Sequence, residues 1–121
     1  MKYLLMIYSD EVADEAKSAS QKQAEMQGYF SFTDEVRKAN VYRAGEALHS
    51  TSTATTVRVR AGKIGATDGP FAETKEQLGG FYLLECENLD EAIQWAAKIP
   101  HASQGCIEIR PVVDFSQTAA A

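Results

Sequence analysis

The stretch Gly80-Phe81-Tyr82-Leu83-Leu84-Glu85-Cys86-Glu87-Asn88-Leu89-Asp90-Glu91, with its continuation to Pro100, decides the fold. Gly80 to Glu87 reads as a strand, in which successive side chains point to opposite faces. Phe81 and Leu83 take one face, Tyr82 and Leu84 the other, so both faces are apolar. Asn88-Leu89-Asp90-Glu91 has the form of a capping box, an Asn cap with Glu three residues on. A helix is predicted from Leu89 to about Ile99. Leu89, Ala92, Ile93, Ala96 and Ala97 form its apolar stripe, and Pro100 ends it.

Working outward, Lys2 to Tyr8 repeats the strand pattern: Tyr3, Leu5 and Ile7 oppose Leu4, Met6 and Tyr8. Ser9 to about Ala19 reads as a loop or frayed helix. From about Ser20 to Ala39, Met26, Tyr29, Phe32 (or Thr33), Val36 and Ala39 recur at helical spacing. Asn40 suits the left-handed turn after a helix end. Val41 to Leu48 is a second strand, bulged at Gly45. Ala54 to Arg60 and Lys63 to Thr67 form a hairpin around Ala61-Gly62. Gln104-Gly105 turns the chain into a last strand, Cys106 to Val113. Residues 1–113 make one domain, and 114–121 read as a mobile polar tail.

The order is β–α–β, an inserted hairpin, then β–α–β, which makes an α+β sandwich with two helices on one sheet face. The helices cover that face alone. The other, equally apolar, is expected to pack against the sheet of a second copy, giving a homodimer.

The chain has 121 residues, a net charge of −5 and a charged fraction of 24%. One soluble domain is expected. The acidic balance argues against nucleic acid as a partner, since that requires clustered Lys and Arg. No apolar run approaches membrane-spanning length, and the N-terminal run is too short for a secretory signal. A cytoplasmic location is expected, with no membrane partner. Cys86 and Cys106 both fall in predicted strands and read as reduced and buried, without a nearby base to activate them. There is no Cys-x-x-Cys, His-x-x-x-His or dense carboxylate loop, and no nucleotide-binding glycine signature, so neither a metal nor a cofactor is expected.

Between the hairpin and the Gly80 strand lies Asp68-Gly69-Pro70-Phe71-Ala72-Glu73-Thr74-Lys75-Glu76-Gln77-Leu78-Gly79-Gly80. It is too polar for a strand and reads as a loop, with Phe71 plugged into the core as its anchor. Gly79-Gly80 lets the backbone turn or pass close to a neighbour. This signature resembles that of the DGPF branch of the YCII-related family. The resemblance extends to Gly45-Glu46-Ala47-Leu48, Ala54-Thr55-Thr56-Val57-Arg58 and Glu108-Ile109-Arg110-Pro111. It implies a ferredoxin-like α+β fold that dimerises into an α/β barrel, and no settled activity. Some members are suggested to use a His–Asp dyad with the His on the first helix. This chain has no His before His49, and its long helix offers Tyr29 at the cavity-facing position.

The candidate chemistry is proton transfer without a metal. Asp68, His49 and Tyr29 are the candidate catalytic groups, with Asp68 orienting His49 in a cleft near the loop. The plainer alternatives are an Asp68 that caps its own turn, a surface His49 and a core Tyr29. Arg43, Glu46, Arg58, Glu73, Lys75 and Arg110 are candidate ligand-binding residues, or partners in structural ion pairs. His101, just after Pro100, reads as a capping or surface residue. The resulting expectation is a protein that binds a small polar or carboxylate-bearing molecule near Asp68, with lyase- or isomerase-like chemistry. The alternative is a non-catalytic accessory or regulatory dimer. The resemblance links that alternative to sigma-factor signalling, since genes of this family often accompany alternative sigma factors of the extracytoplasmic type.

Overall fold

The structure, a computed structural model, describes residues 1–118. Residues 119–121 of the expected tail lie outside that range. Strand β1 is Lys2–Ser9, followed by helices α1 (Glu11–Glu15) and α2 (Ala19–Lys38). Strand β2 (Tyr42–Ala47) leads through a 3₁₀ turn at Thr51–Thr53 to β3 (Thr55–Arg60) and β4 (Lys63–Asp68). Strand β5 (Gln77–Glu85), helix α3 (Leu89–Ala96), a second 3₁₀ turn (Pro100–Ser103), β6 (Cys106–Pro111) and the short α4 (Phe115–Thr118) complete the chain.

The protein is α+β with antiparallel pairing throughout. The main sheet runs β2-β5-β1-β6, and β3-β4 form a separate two-stranded sheet. The two strands that are apolar on both faces, β1 and β5, therefore occupy the centre, where burial is greatest. Tyr3, Leu5, Ile7, Tyr82 and Leu84 meet Phe32 and Val36 of α2 and Ala92 and Ala96 of α3 in one core. Phe32 sets its ring edge-on to Tyr82 at 4.9 Å between centroids. On the other face, Leu4 lies between Leu83 and Arg110, and Met6 between Phe81 and Glu108. Leu4, Met6, Phe81 and Leu83 are half-buried there, outside the core that α2 and α3 cover.

Local chemistry explains several element ends. Ser18 accepts from the Gln21 amide while the Gln21 side chain accepts from the Ser18 amide, so a full capping box starts α2. The expected loop or frayed segment holds one short helix, α1, which Asp10 caps through the Val12 and Ala13 amides. Asn40 takes the left-handed conformation (φ 59°) after α2, as its residue type foretold. Asn88 caps α3 through the Glu91 amide.

Four expectations are corrected. Strand β5 begins at Gln77, so the last four residues of the polar signature are strand; a Cβ on Gly80 would stand 2.8 Å from the Glu46 carbonyl oxygen of β2. Phe71 does not anchor the loop: it is 80% exposed. The irregularity in β2 falls between Tyr42 and Ala44 rather than at Gly45. In α3, Ala92, Ala96 and the following Ile99 face the core, leaving Leu89 and Ile93 exposed.

Candidate functional site

A cavity of about 700 Å³ opens between α2 and the sheet. The face that α2 turns to it is Lys22, Glu25, Tyr29, Thr33 and Arg37, at spacings of three and four residues. Phe32 and Val36 occupy the neighbouring face and are buried in the core. The helix thus carries two adjacent stripes, one apolar and structural, one polar and facing open space.

At the inner end of the polar stripe, side chains from five segments converge. Tyr29 Oη lies 2.5 Å from His101 Nδ1. His101 Nε2 lies 3.2 Å from Asp14 Oδ1 and 3.4 Å from Glu25 Oε1. Lys17 Nζ donates to Asp14 Oδ1 at 2.9 Å and to Glu25 Oε2 at 2.5 Å. Ser9, at the end of β1, donates from Oγ to Asp14 Oδ2 at 2.6 Å. Ser9, Asp14, Glu25, Tyr29 and His101 all line the cavity. His101 is 8% exposed, buried by the 3₁₀ turn that follows Pro100, which corrects the expectation of a surface residue.

The electrostatics follow from these contacts. Burial raises the Asp14 pKa, but hydrogen bonds from Ser9, Lys17 and His101 outweigh it, so the carboxyl is held below its ordinary value of 3.8. Burial lowers the Lys17 pKa, and the Glu25 and Asp14 carboxylates overcome that to raise it. Tyr29 is raised well above the usual phenol range, first by burial and then by the Glu25 charge. Its hydroxyl therefore keeps its proton at neutral pH.

Two proton arrangements satisfy all these atoms. With neutral His101, Tyr29 donates to Nδ1 while Nε2–H faces the carboxylates. With His101 as imidazolium, Nδ1–H donates to Tyr29 Oη and the phenolic O–H points into the cavity. The second holds one proton more than the first: Tyr29 passes its hydrogen to Nδ1 as Oη takes another from a group in the cavity, and the reverse returns it, which is the exchange general acid–base work requires. Asp14, Glu25 and His101 each present a ligand atom within 4.8 Å of one another. Lys17 already stands between the two carboxylates, and a cation bound there would have to displace it.

Of the residues expected from sequence, Tyr29 and Glu46 line this cavity. Asp68 ends β4 opposite Thr55 and is exposed; His49 is exposed in the connector after β2; neither lines the cavity. Arg43 is exposed and donates to the Asn40 and Tyr42 carbonyls. Arg58 is exposed on β3, and Arg110 on the uncovered face of β6. Lys75 is exposed, and Glu73 borders a smaller cavity of about 370 Å³ beside Gly69 and Pro70. Both cysteines are free; Cys86 is buried and its thiol is pushed up to about 11, first by burial and then by Glu91. Cys106 is exposed, contrary to expectation, because it shares the uncovered sheet face with Tyr8.

The fold and site define an α+β protein with a partly buried acid–base cluster beside an open cavity. The chain matches the YCII-related domain over residues 1–116 and belongs to that family. It is 38% identical over 114 residues to an uncharacterised protein of Rhizobium meliloti (strain 1021), covering 93% of this chain and 92% of the relative. Among solved structures it is similar to 5-chloro-2-hydroxyhydroquinone dehydrochlorinase from Burkholderia phenoliruptrix AC1100, in complex with 2,5-dihydroxybenzoquinone. That likeness has a TM-score of 0.49 and 13% identity over 97% of this chain and 98% of the other, too distant to carry chemistry across. Among the described residues, no helix is long and apolar enough to cross a membrane.

Proposed function

We propose that this protein binds a small polar molecule in the cavity beside α2 and exchanges a proton with it through Tyr29 and His101. The observation that carries this reading is the hydrogen-bonded chain Tyr29–His101–Asp14 on the cavity wall. Tyr29 is the group placed to touch the ligand. His101 is its proton partner, Asp14 and Glu25 orient the imidazole, and Lys17 and Ser9 hold those carboxylates. The catalytic centre is thereby moved from Asp68 and His49 to this cluster, while Tyr29 keeps the role expected of it. Its chemistry is of the proton-transfer type that lyases and isomerases share.

The strand order β2-β5-β1-β6 with both long helices on one face supports a ferredoxin-like description. The Asp68 signature supports placement in the DGPF branch. The apolar outer face of β1 and β5 supports a homodimer joined sheet to sheet in a barrel. The accessory-module reading has its own support: Val57, Val59, Ile64 and Phe71 are exposed on the hairpin and loop, a surface suited to a protein partner.

A thermal-shift screen with neutral phenols, carboxylates, phosphates and divalent metals tests the proposal, because ligand binding to the native state raises Tm. The expected result is a hit that Tyr29→Phe or His101→Gln abolishes and Asp68→Asn leaves intact. A hit lost only in Asp68→Asn would move the site back to the loop.

A further inference from the structure

Arg37 lines the cavity at the far end of the polar stripe of α2. Its guanidinium lies 4.3 Å from the centroid of the Tyr42 ring on β2, in stacking contact. Most other charges on the cavity wall have partners. Asp14 and Glu25 share Lys17, Glu15 faces Lys22 at 3.6 Å, and Glu11 accepts from the Thr51 amide and hydroxyl at 2.9 and 2.7 Å. Arg37 has no carboxylate within ion-pair distance among the described residues. Its position in the last turn of α2 explains a positive charge there, as it does for Lys38. It does not explain a guanidinium laid over an aromatic ring at a cavity wall.

From this arrangement we infer that Arg37 is the specificity residue of the cavity and that it receives the carboxylate of a flat, hydroxyl-bearing ligand. The inference rests on the proton-transfer reading of Tyr29. A guanidinium offers parallel N–H donors that match a carboxylate, and the Tyr42 ring holds that fork in one plane. Glu46, which also lines the cavity, lies four residues along β2 from Tyr42, roughly 13 Å away, so it does not oppose an anion at Arg37. Tyr29 and Arg37 are eight residues apart on one helix, a rise of about 12 Å. A ligand that meets both groups therefore carries its hydroxyl and its carboxylate at opposite ends, as a benzene ring substituted at opposite positions does. The cavity lining also includes Phe30 and Tyr82, whose rings suit an aromatic ligand.

The test uses the full chain and two probes of equal shape, 4-hydroxybenzoate and its neutral amide, 4-hydroxybenzamide. Binding is followed by calorimetry and by the NMR signals of the His101 ring. The proposal expects the acid to bind about tenfold or more tightly than the amide, the scale of one charge-assisted hydrogen-bonded pair. In Arg37→Gln the preference should vanish, the acid binding no more tightly than the amide. Equal binding of both probes to the unaltered protein, with the His101 signals shifting, would overturn the role of Arg37 and leave the Tyr29–His101 reading standing. A preference for the acid that survives Arg37→Gln would also overturn it. No binding of either probe would overturn the proposed ligand class, and the Tyr29–His101 reading would then stand or fall by the thermal-shift screen.

Discussion

The Asp68 loop and the Tyr29–His101 cluster are opposites. The loop carries the most specific run of residues in the chain, yet single hydrogen bonds hold its ends: the Gly69 amide donates to the Ala54 carbonyl, the Thr56 hydroxyl donates to the Gly69 carbonyl, and the Gln77 side chain accepts from the Glu11 amide. Phe71 stands in solvent. The cluster is drawn from residues with no local signature, and every one of its polar groups is answered. A recognisable motif therefore marks descent and local backbone geometry, whereas partnered chemistry is assembled by tertiary packing. In this molecule the two do not coincide.

The largest expected effect separates the regions by stability. Phe32, fully within the core beneath the cavity, should cost about 3–5 kcal/mol when changed to Ala, read by urea unfolding. Next comes the cluster itself. Asp14→Asn should cost about 1–3 kcal/mol at pH 7, since Lys17, Ser9 and His101 lose a charged acceptor. The sign with pH is fixed. The folded Asp14 pKa is lowered, so its contribution is present above the ordinary value of 3.8 and is lost as pH falls through the lower folded value. The gap between the two proteins should therefore close in acid, and a gap that persists at pH 2 would mean that Asp14 acts through packing rather than charge.

Smaller again is Ser18→Ala, which removes half of the capping box that starts the helix bearing Glu25 and Tyr29. About 1 kcal/mol is expected, with the Tyr29–His101 contact retained in NMR spectra. The smallest is Phe71→Ala, within about 0.5 kcal/mol of the unaltered protein. A cost above 1 kcal/mol that grows with protein concentration would show that a partner surface covers Phe71, and the contrast between the two regions would shrink.

The elements were legible because their signals are local. Alternation in Lys2 to Tyr8 and Gly80 to Glu87, the Asn88 cap and the Ala61-Gly62 reversal each act over a few residues, and each has its strand, helix or turn. The uncovered apolar sheet face was legible from the same alternation. The cluster was not. Asp14 reads in sequence as a residue that could start a helical turn, and His101 as a capping or surface residue. Its burial depends on how the 3₁₀ turn after α3 packs toward β1 and α2, which no neighbour in sequence reports. One signal was present and went unread: Glu25, Tyr29, Thr33 and Arg37 recur every fourth residue beside the apolar stripe. That polar face lies beside the apolar positions that set the helical period. Phe71 misled for the opposite reason, since a large apolar residue is not thereby a buried one.

The contact between Tyr29 and His101 spans 72 positions in the chain, and that between Asp14 and His101 spans 87. Such loops close late, because their ordering entropy must be met before the contact forms. During synthesis the helix with Tyr29 and the acids near it emerges first, and His101 arrives with the last strand. A nascent or truncated chain holds the carboxylates and the phenol but no base between them. Competence at this site is thus a property of the finished molecule, and the appearance of the Tyr29–His101 signal in a refolding experiment would time the final step of assembly.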